Sequence, residues 1–235
     1  MIYDSRMTRQ RAWPKPYSLS LFMKSERYLI LLCILLLLAG CRNKINDLTR
    51  AAGAGDSVAV KALLDNGTDV NGRDKDGSTA LIQAAWKGHP ETVQILLGKG
   101  AAVDAKSIDG GTALMWAAYE DHTDIVKTLL AHGASVDARD KDQSTALTLA
   151  SLKGFTGTVT TLLDHGANVN AMDDQGRTAL VYAAENGYAD TVKALLDKGA
   201  DVNVKDRNGY TALALTSGSG YNDIAYMLKQ AGASE

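Results

Sequence analysis

Four histidines and a periodic set of carboxylates are the side chains of this 235-residue chain suited to acid–base or metal chemistry, and two cysteines are its only thiols. His132 and His165 each precede a glycine, Gly133 and Gly166, at the end of a helical stretch, where a cation suits the helix dipole. They sit one period apart and can face each other, but no third ligand shares their register, so no metal site and no cofactor are expected. The carboxylates recur at fixed intervals, which marks them as loop structure and not as a unique acid–base pair. The glycine-rich run "TSGSGYND" lacks the lysine and the spacing of a phosphate cradle. No nucleophile and base stand in a recognisable constellation, and catalysis is not expected.

The cysteines belong to a different chemistry. An uncharged, mostly apolar run from Tyr28 to Gly40 contains Cys33 and follows Lys24 and Arg27. At 13 residues it falls well short of the roughly 20 a helix needs to cross about 30 Å of hydrocarbon. A positive flank, a short apolar core and small residues at its end describe a secretory signal over 23–40. Leu38, Ala39, Gly40 and Cys41 resemble the lipobox of bacterial lipoproteins, placed directly after the apolar core. The resemblance implies lipidation of the Cys41 sulfur, cleavage after Gly40 and acylation of the new amino terminus. Two or more acyl chains, at about 0.8 kcal/mol per buried CH₂, anchor stably where one does not. The alternatives are an ordinary secretory peptide with Cys41 near the cut by chance, and an uncleaved short anchor. "MKSERYLILLCILLLLAGC" from Met23 is a complete leader, so residues 1–22 are read as a mis-assigned extension, with Met23 or Met7 the true start.

The net charge of the whole chain is −2, and its first 40 residues hold six Lys/Arg against two Asp/Glu, so the remainder is more acidic. With no Lys/Arg cluster to neutralise phosphates, nucleic acid is not an expected partner. Once Cys33 is removed and Cys41 lipidated, the folded part has no thiol. That suits an oxidising periplasm and excludes a disulfide framework or a thiolate zinc site.

The elements that position everything else repeat every 33 residues. "TALIQAA" starts at Thr79, "TALMWAA" at Thr112, "TALTLAS" at Thr145, "TALVYAA" at Thr178 and "TALALTS" at Thr211. "VQILLGKGAAVD", "VKTLLAHGASVD", "VTTLLDHGANVN" and "VKALLDKGADVN" follow in register, and a shorter unit, "LTRAAGAGDSVAVKALLDNGTDVN", precedes them. These residues resemble the ankyrin repeat, G-x-T-P-L-H-x-A-A-x-x-G-H, then V-x-x-L-L, then G-A-x-x-N. The resemblance spans nearly all of the chain after Cys41. It implies an all-α solenoid of six helix–turn–helix units with hairpin loops, over 46–73, 74–106, 107–139, 140–172, 173–205 and 206–235, behind a tether of residues 41–45. Asn46 and Asp47 open the first helix, and Lys229 and Gln230 interrupt the apolar stripe of the last, so the array reads as capped at both ends.

Each unit also follows from local physics. Thr79 and its equivalents are good N-caps. Leu81, Ala84 and Ala85 fall at helical spacing, and the paired alanines admit a close neighbour. Gly88 ends helix one in a glycine-favouring conformation. Val93, Leu96 and Leu97 form the apolar stripe of helix two, Gly100 stops it, and Val103 tucks under the hairpin that follows. Helices of about eight residues do not persist alone in water, so neighbours must bury each other's faces. His89 and His122 occupy the family's G-H position, where they cap and pack. Ala80, Ala113, Ala146, Ala179 and Ala212 replace the family's proline, and Ile82, Met115, Thr148, Val181 and Ala214 its histidine. A looser first turn and fewer bonds between units are expected. Gln143 and Asp121 stand where glycines belong, which marks the third and fourth units as the softest joint; Asp tolerates positive φ better than most residues.

The resemblance places partner contacts on the hairpin tips and on the exposed side of helix one, which line a concave groove. The late helix-one position carries Trp86, Tyr119, Leu152, Glu185 and Gly218. Trp and Tyr dominate interface hot spots, and Trp86 and Tyr119, with Leu152 at the same position of the next unit, are read as contacts to a protein partner, with incidental surface the alternative. Trp116 and Tyr182, one turn earlier, are read as half-buried between units. Lys75, Asp76, Ile108, Asp109, Lys141, Asp142, Arg177, Arg207 and Tyr210 are the tip residues offered for specificity, each singly as well explained by plain solvation. The expectation is a monomeric, membrane-tethered periplasmic module that binds a protein as inhibitor or scaffold. At about 3.3–3.6 Å per residue, the tether holds it within roughly 20 Å of the bilayer. Arg42, not Asp, follows the lipidated cysteine, which by resemblance to enterobacterial lipoproteins favours the outer membrane. A small-molecule or metal-responsive protein using pockets between units is the alternative, and a hydrolase with an unrecognised site a third.

Overall fold

The computed structural model describes residue 40 and residues 43–234, without the side chains of 217–219. The segments read from the sequence as a signal peptide, a lipobox with Cys41 and an extension over 1–22 lie outside the described residues, residue 40 apart. Residues 43–53 form helix α1. After it come α2 (Ser57–Asp65), α3 (Ala80–Lys87), α4 (Pro90–Gly98), α5 (Ala113–Tyr119), α6 (Thr123–Ala131), α7 (Ala146–Lys153), α8 (Thr156–Asp164), α9 (Ala179–Glu185), α10 (Ala189–Asp197), α11 (Ala212–Ser219) and α12 (Asn222–Gln230). Among the described residues there is no strand, and no helix is long and apolar enough to cross a membrane. Six helix pairs stack in chain order, an all-α solenoid.

The odd-numbered helices start alike. In each of α3, α5, α7, α9 and α11 a buried threonine hydroxyl, on Thr79, Thr112, Thr145, Thr178 or Thr211, accepts the backbone N–H three residues on, at 3.2–3.4 Å. This satisfies one of the four orphan donors of a first turn. At Thr145 the Thr148 hydroxyl also accepts the cap's own N–H at 2.8 Å, closing a capping box. The first turns are therefore closed although alanine stands in place of proline.

Alanine size sets the packing. Ala84, Ala85, Ala117, Ala118, Ala183 and Ala184 are fully buried along the row of first helices. Their small side chains let α3, α5, α7, α9 and α11 pack more closely on one another than the second helices do. Leu81, Leu114, Leu147 and Leu180, with Leu96, Leu129, Leu162 and Leu195, make a continuous core strip. Truncating any one to alanine costs about 2–5 kcal/mol.

Polar bonds hold the units in register. The N–H groups of Ile108, Lys141, Asp174 and Arg207 donate to the carbonyls of Asp76, Asp109, Asp142 and Gln175 at 2.9–3.2 Å, a ladder from one hairpin tip to the next. The Asp or Asn that closes each "VD" or "VN" accepts from the following unit: Asn71 from Ala102 at 2.7 Å, Asp104 from Ser135 and Asp137 from Asn168 at 2.9 Å, and Asn170 from Asp201 at 2.8 Å. These bonds tie neighbouring units although the helix-one histidines of the family pattern are absent.

Two expectations change. Residues 43–45 are helical and not an extended tether, and Ile45 lies so close to Gly72 that a β-carbon there would stand 2.6 Å from it. His89 and His122 do not cap their own helices. Their Nε2 atoms reach back to the carbonyls of Gly53 and Trp86, at 3.0 and 3.1 Å, and so tie each unit to the one before. The ring of His122 also fills the space a side chain on Gly88 would need, so Gly88 serves both its φ of 75° and a close approach.

Candidate protein-binding surface

The solvent side of the first-helix row is built from positions three residues apart, which share a face of a helix. Trp86 comes from α3, Trp116 and Tyr119 from α5, Leu149 and Leu152 from α7, and Tyr182 and Glu185 from α9. All seven are half-buried. Trp86 and Trp116 lie with ring centroids 5.5 Å apart and planes tilted by 43°, and Tyr119 meets Trp116 edge-on at 6.1 Å. Such aromatic pairs contribute about 0.5–1.5 kcal/mol beyond their buried area. Trp86 and Tyr119, read from the sequence as partner contacts or incidental surface, also pack within the chain: Trp116 lies between them and joins three rings into a single strip.

Three of the four aromatics on this face, Trp86, Tyr119 and Tyr182, carry a cation of the chain itself. Lys87 lies 3.8 Å from the Trp86 centroid, Lys153 4.4 Å from Tyr119 and Arg177 4.7 Å from Tyr182. The Trp86 indole donates to Glu120 at 3.1 Å. Arg177, expected at a hairpin tip, is half-buried and folded back over Tyr182, where it pairs with Glu185 at 3.2 Å. The other tip candidates, Lys75, Asp76, Ile108, Asp109, Lys141, Asp142, Arg207 and Tyr210, are exposed along the hairpins. Ile108 at 57 % and Tyr210 at 52 % stand out because apolar area at a tip has no folding role there, and Met172, at 48 %, is a third.

Beside the aromatic strip is a cavity of about 270 Å³ lined by Gly111, Met115, Trp116, Tyr119, Asp140 and Leu149. It bridges the third and fourth units. Burial pushes the Asp140 carboxyl above the usual aspartate range, and the negative charges of Asp142 and Asp173 push the same way, against the hydrogen bond from the Ser144 N–H. Sequence reasoning missed this pocket. Leu149 reads as core and Asp140 as one of a periodic loop series, and only the stack sets them across from rings of the preceding unit.

The histidines hold the frame. Nδ1 of His132 and of His165 each lies 2.8 Å from a carbonyl of its own helix, Thr128 and Thr161. Among the described residues no three His, Cys, Asp or Glu side chains gather as a metal would require.

A family model described as ankyrin repeats (3 copies) matches residues 26–107, 48–140, 99–173 and 168–234. No curated protein matches the chain. Ankyrin repeats point to a protein-binding module, and proteins built from them are typically not enzymes. The matched segments together span residues 26–234 and include the stacked helix pairs, and the chain belongs to the ankyrin-repeat family.

Proposed function

We propose that the chain is a lipid-anchored envelope protein that holds a protein partner against the first-helix face of its solenoid. The contiguous aromatic strip of Trp86, Trp116 and Tyr119, half-buried and bordered by charged side chains, carries this reading. Aromatic side chains supply rigid apolar area and a polar handle at low entropic cost, the profile of interface hot spots. The exposed apolar tips Ile108, Met172 and Tyr210 extend the contact along the hairpins.

The Leu38-Ala39-Gly40-Cys41 sequence supports the anchor. With helix α1 already formed at residue 43, at about 1.5 Å rise per residue, the leash from Cys41 is shorter than an extended tether. A partner at the membrane surface suits it better than a diffusing one: a toxin to be neutralised or an envelope enzyme to be supported. Arg42 after the cysteine favours the outer membrane, and the chain acts as a monomer.

A photoreactive phenylalanine analogue at position 119, irradiated in living cells, is expected to give one dominant protein adduct. A clickable fatty acid is expected to label the wild type and not Cys41→Ser. Absence of any adduct counts against the groove, and label retained by Cys41→Ser counts against the anchor.

A further inference from the structure

The repeat is its own control for the pocket beside Trp116. Asp74, Ser107, Asp140, Asp173 and Asp206 occupy one position in successive units, and Gln83, Trp116, Leu149, Tyr182 and Leu215 occupy another, nine residues on. In the fifth unit the two meet: the Tyr182 hydroxyl donates to Oδ2 of Asp173. In the fourth unit leucine stands at that place. The Asp140 carboxylate accepts the Ser144 N–H at Oδ1, at 2.8 Å, and a backbone hydrogen bond from Asp142, but among the described residues no side-chain donor and no cation within 4 Å reaches it. Removing the tyrosine both opens the cavity and leaves its carboxylate without the donor its neighbour has. The sixth unit repeats the Asp–Leu pair, but the unit before it offers Glu185 and a Tyr182 already bound to Asp173, not two rings. Only the junction of units three and four sets such a carboxylate beside Trp116 and Tyr119.

The surrounding charge favours a cation. Asp142 and Asp173 both act on Asp140 with like charge, and Tyr119 already carries Lys153 at 4.4 Å, so its ring is a working cation platform. A planar guanidinium stacks on indole and phenol faces while donating in its own plane, which a compact ammonium does not do. We propose that this pocket receives an arginine side chain of the protein partner, its guanidinium laid against Trp116 and Tyr119 and donating to the Asp140 carboxylate, which has no side-chain partner of its own. The proposal rests on the reading that the first-helix face binds a protein.

Its test is a titration of the full-length chain with N-acetyl-arginine amide, following the indole N–H signal of Trp116 by NMR. Asp140→Asn keeps an oxygen for the Ser144 N–H and is expected to melt like the wild type. A saturable shift at Trp116, at least tenfold weaker in Asp140→Asn and absent with the uncharged citrulline amide, is the expected result. No saturable shift, or equal response in Asp140→Asn or to the citrulline amide, overturns the proposal. So does tighter binding of N-acetyl-lysine amide. If the position 119 adduct forms while the arginine amide is ignored, the pocket fails and the groove stands. If no adduct forms, both fall.

Discussion

The Thr158 hydroxyl donates to the Asp121 carboxylate at 2.8 Å, across the boundary between the third and fourth units, and meets the Thr123 hydroxyl at 2.7 Å. Asp121 stands at a φ of 59° where its equivalents, Gly88, Gly154, Gly187 and Gly220, are all glycines at positive φ. The substitution that marks this joint as soft in the sequence thus brings its own tie to the next unit. Asp121→Gly is expected to relieve the backbone and lose the bond, with little net change. Asp121→Ala loses the bond and keeps the strain, and should destabilise by about 1–3 kcal/mol. Urea unfolding of the pair decides it; equal midpoints would show that the backbone conformation carries no strain.

Trp86→Ala with Tyr119→Ala is expected to abolish the adduct or pull-down of the partner. The rings also pack on Trp116, so the double variant should lose about 1–2 kcal/mol of stability, where a purely exposed pair would lose none. Thermal melts beside partner capture separate the two effects. Equal loss of capture from substitutions on the second-helix face would tell against the groove.

Tyr182 and Asp173 test the internal contrast. Burial, then the hydrogen bond to Asp173, hold the Tyr182 phenol well above the ordinary tyrosine value. A group raised in the fold contributes stability that is whole below its unfolded value and lost as pH climbs through its folded one. An alkaline absorbance titration should therefore leave one phenol un-ionised until the chain unfolds. Tyr182→Phe deprives the buried Asp173 of its donor and is expected to destabilise by about 1–3 kcal/mol at neutral pH. Asp173→Asn should return the titration of Tyr182 toward normal.

Asp140 gives the acid counterpart. Its carboxyl is raised, first by burial and then by Asp142 and Asp173, while Lys153 sits over the Tyr119 ring beside the same pocket. Its neutral form therefore persists to higher pH than an ordinary aspartate's, and the stability that form contributes is lost as pH rises through the folded value. Capture of the arginine amide is expected to be full at neutral pH and to fall on acidification, beginning above the usual aspartate range. A flat profile from neutral pH down to the acid unfolding limit would exclude Asp140 as the acceptor.

Lys153 competes for the Tyr119 ring. Lys153→Gln is expected to strengthen capture of the arginine amide several-fold, with the melting temperature unchanged because the lysine is exposed. Weaker capture would mean that the lysine helps to form the pocket.

The frame was legible because its rules are local. Threonine before an apolar run, alanine pairs, and glycine at each helix end recur at 33-residue spacing, and each has one physical use that neighbouring units repeat. Asp121 and Gln143, read as residues forced into a glycine's place, do take φ of 59° and 61°. The candidate site was legible only in part. Trp86 and Tyr119 were found because aromatics at a helix's outer position are conspicuous, but their contact with Trp116 was not, and Arg177 was placed at a tip that it leaves to cover Tyr182.

The sequence by itself determined the number of units, their caps and the face each helix turns inward, because those follow from the order of residues within one period. The tertiary structure decided what lies across from what. Whether Asp140 meets a hydroxyl or a cavity depends on Leu149 in its own unit and on Trp116 and Tyr119 in the one before, residues 21 to 24 positions upstream that only the stacking distance, set by alanine, brings alongside.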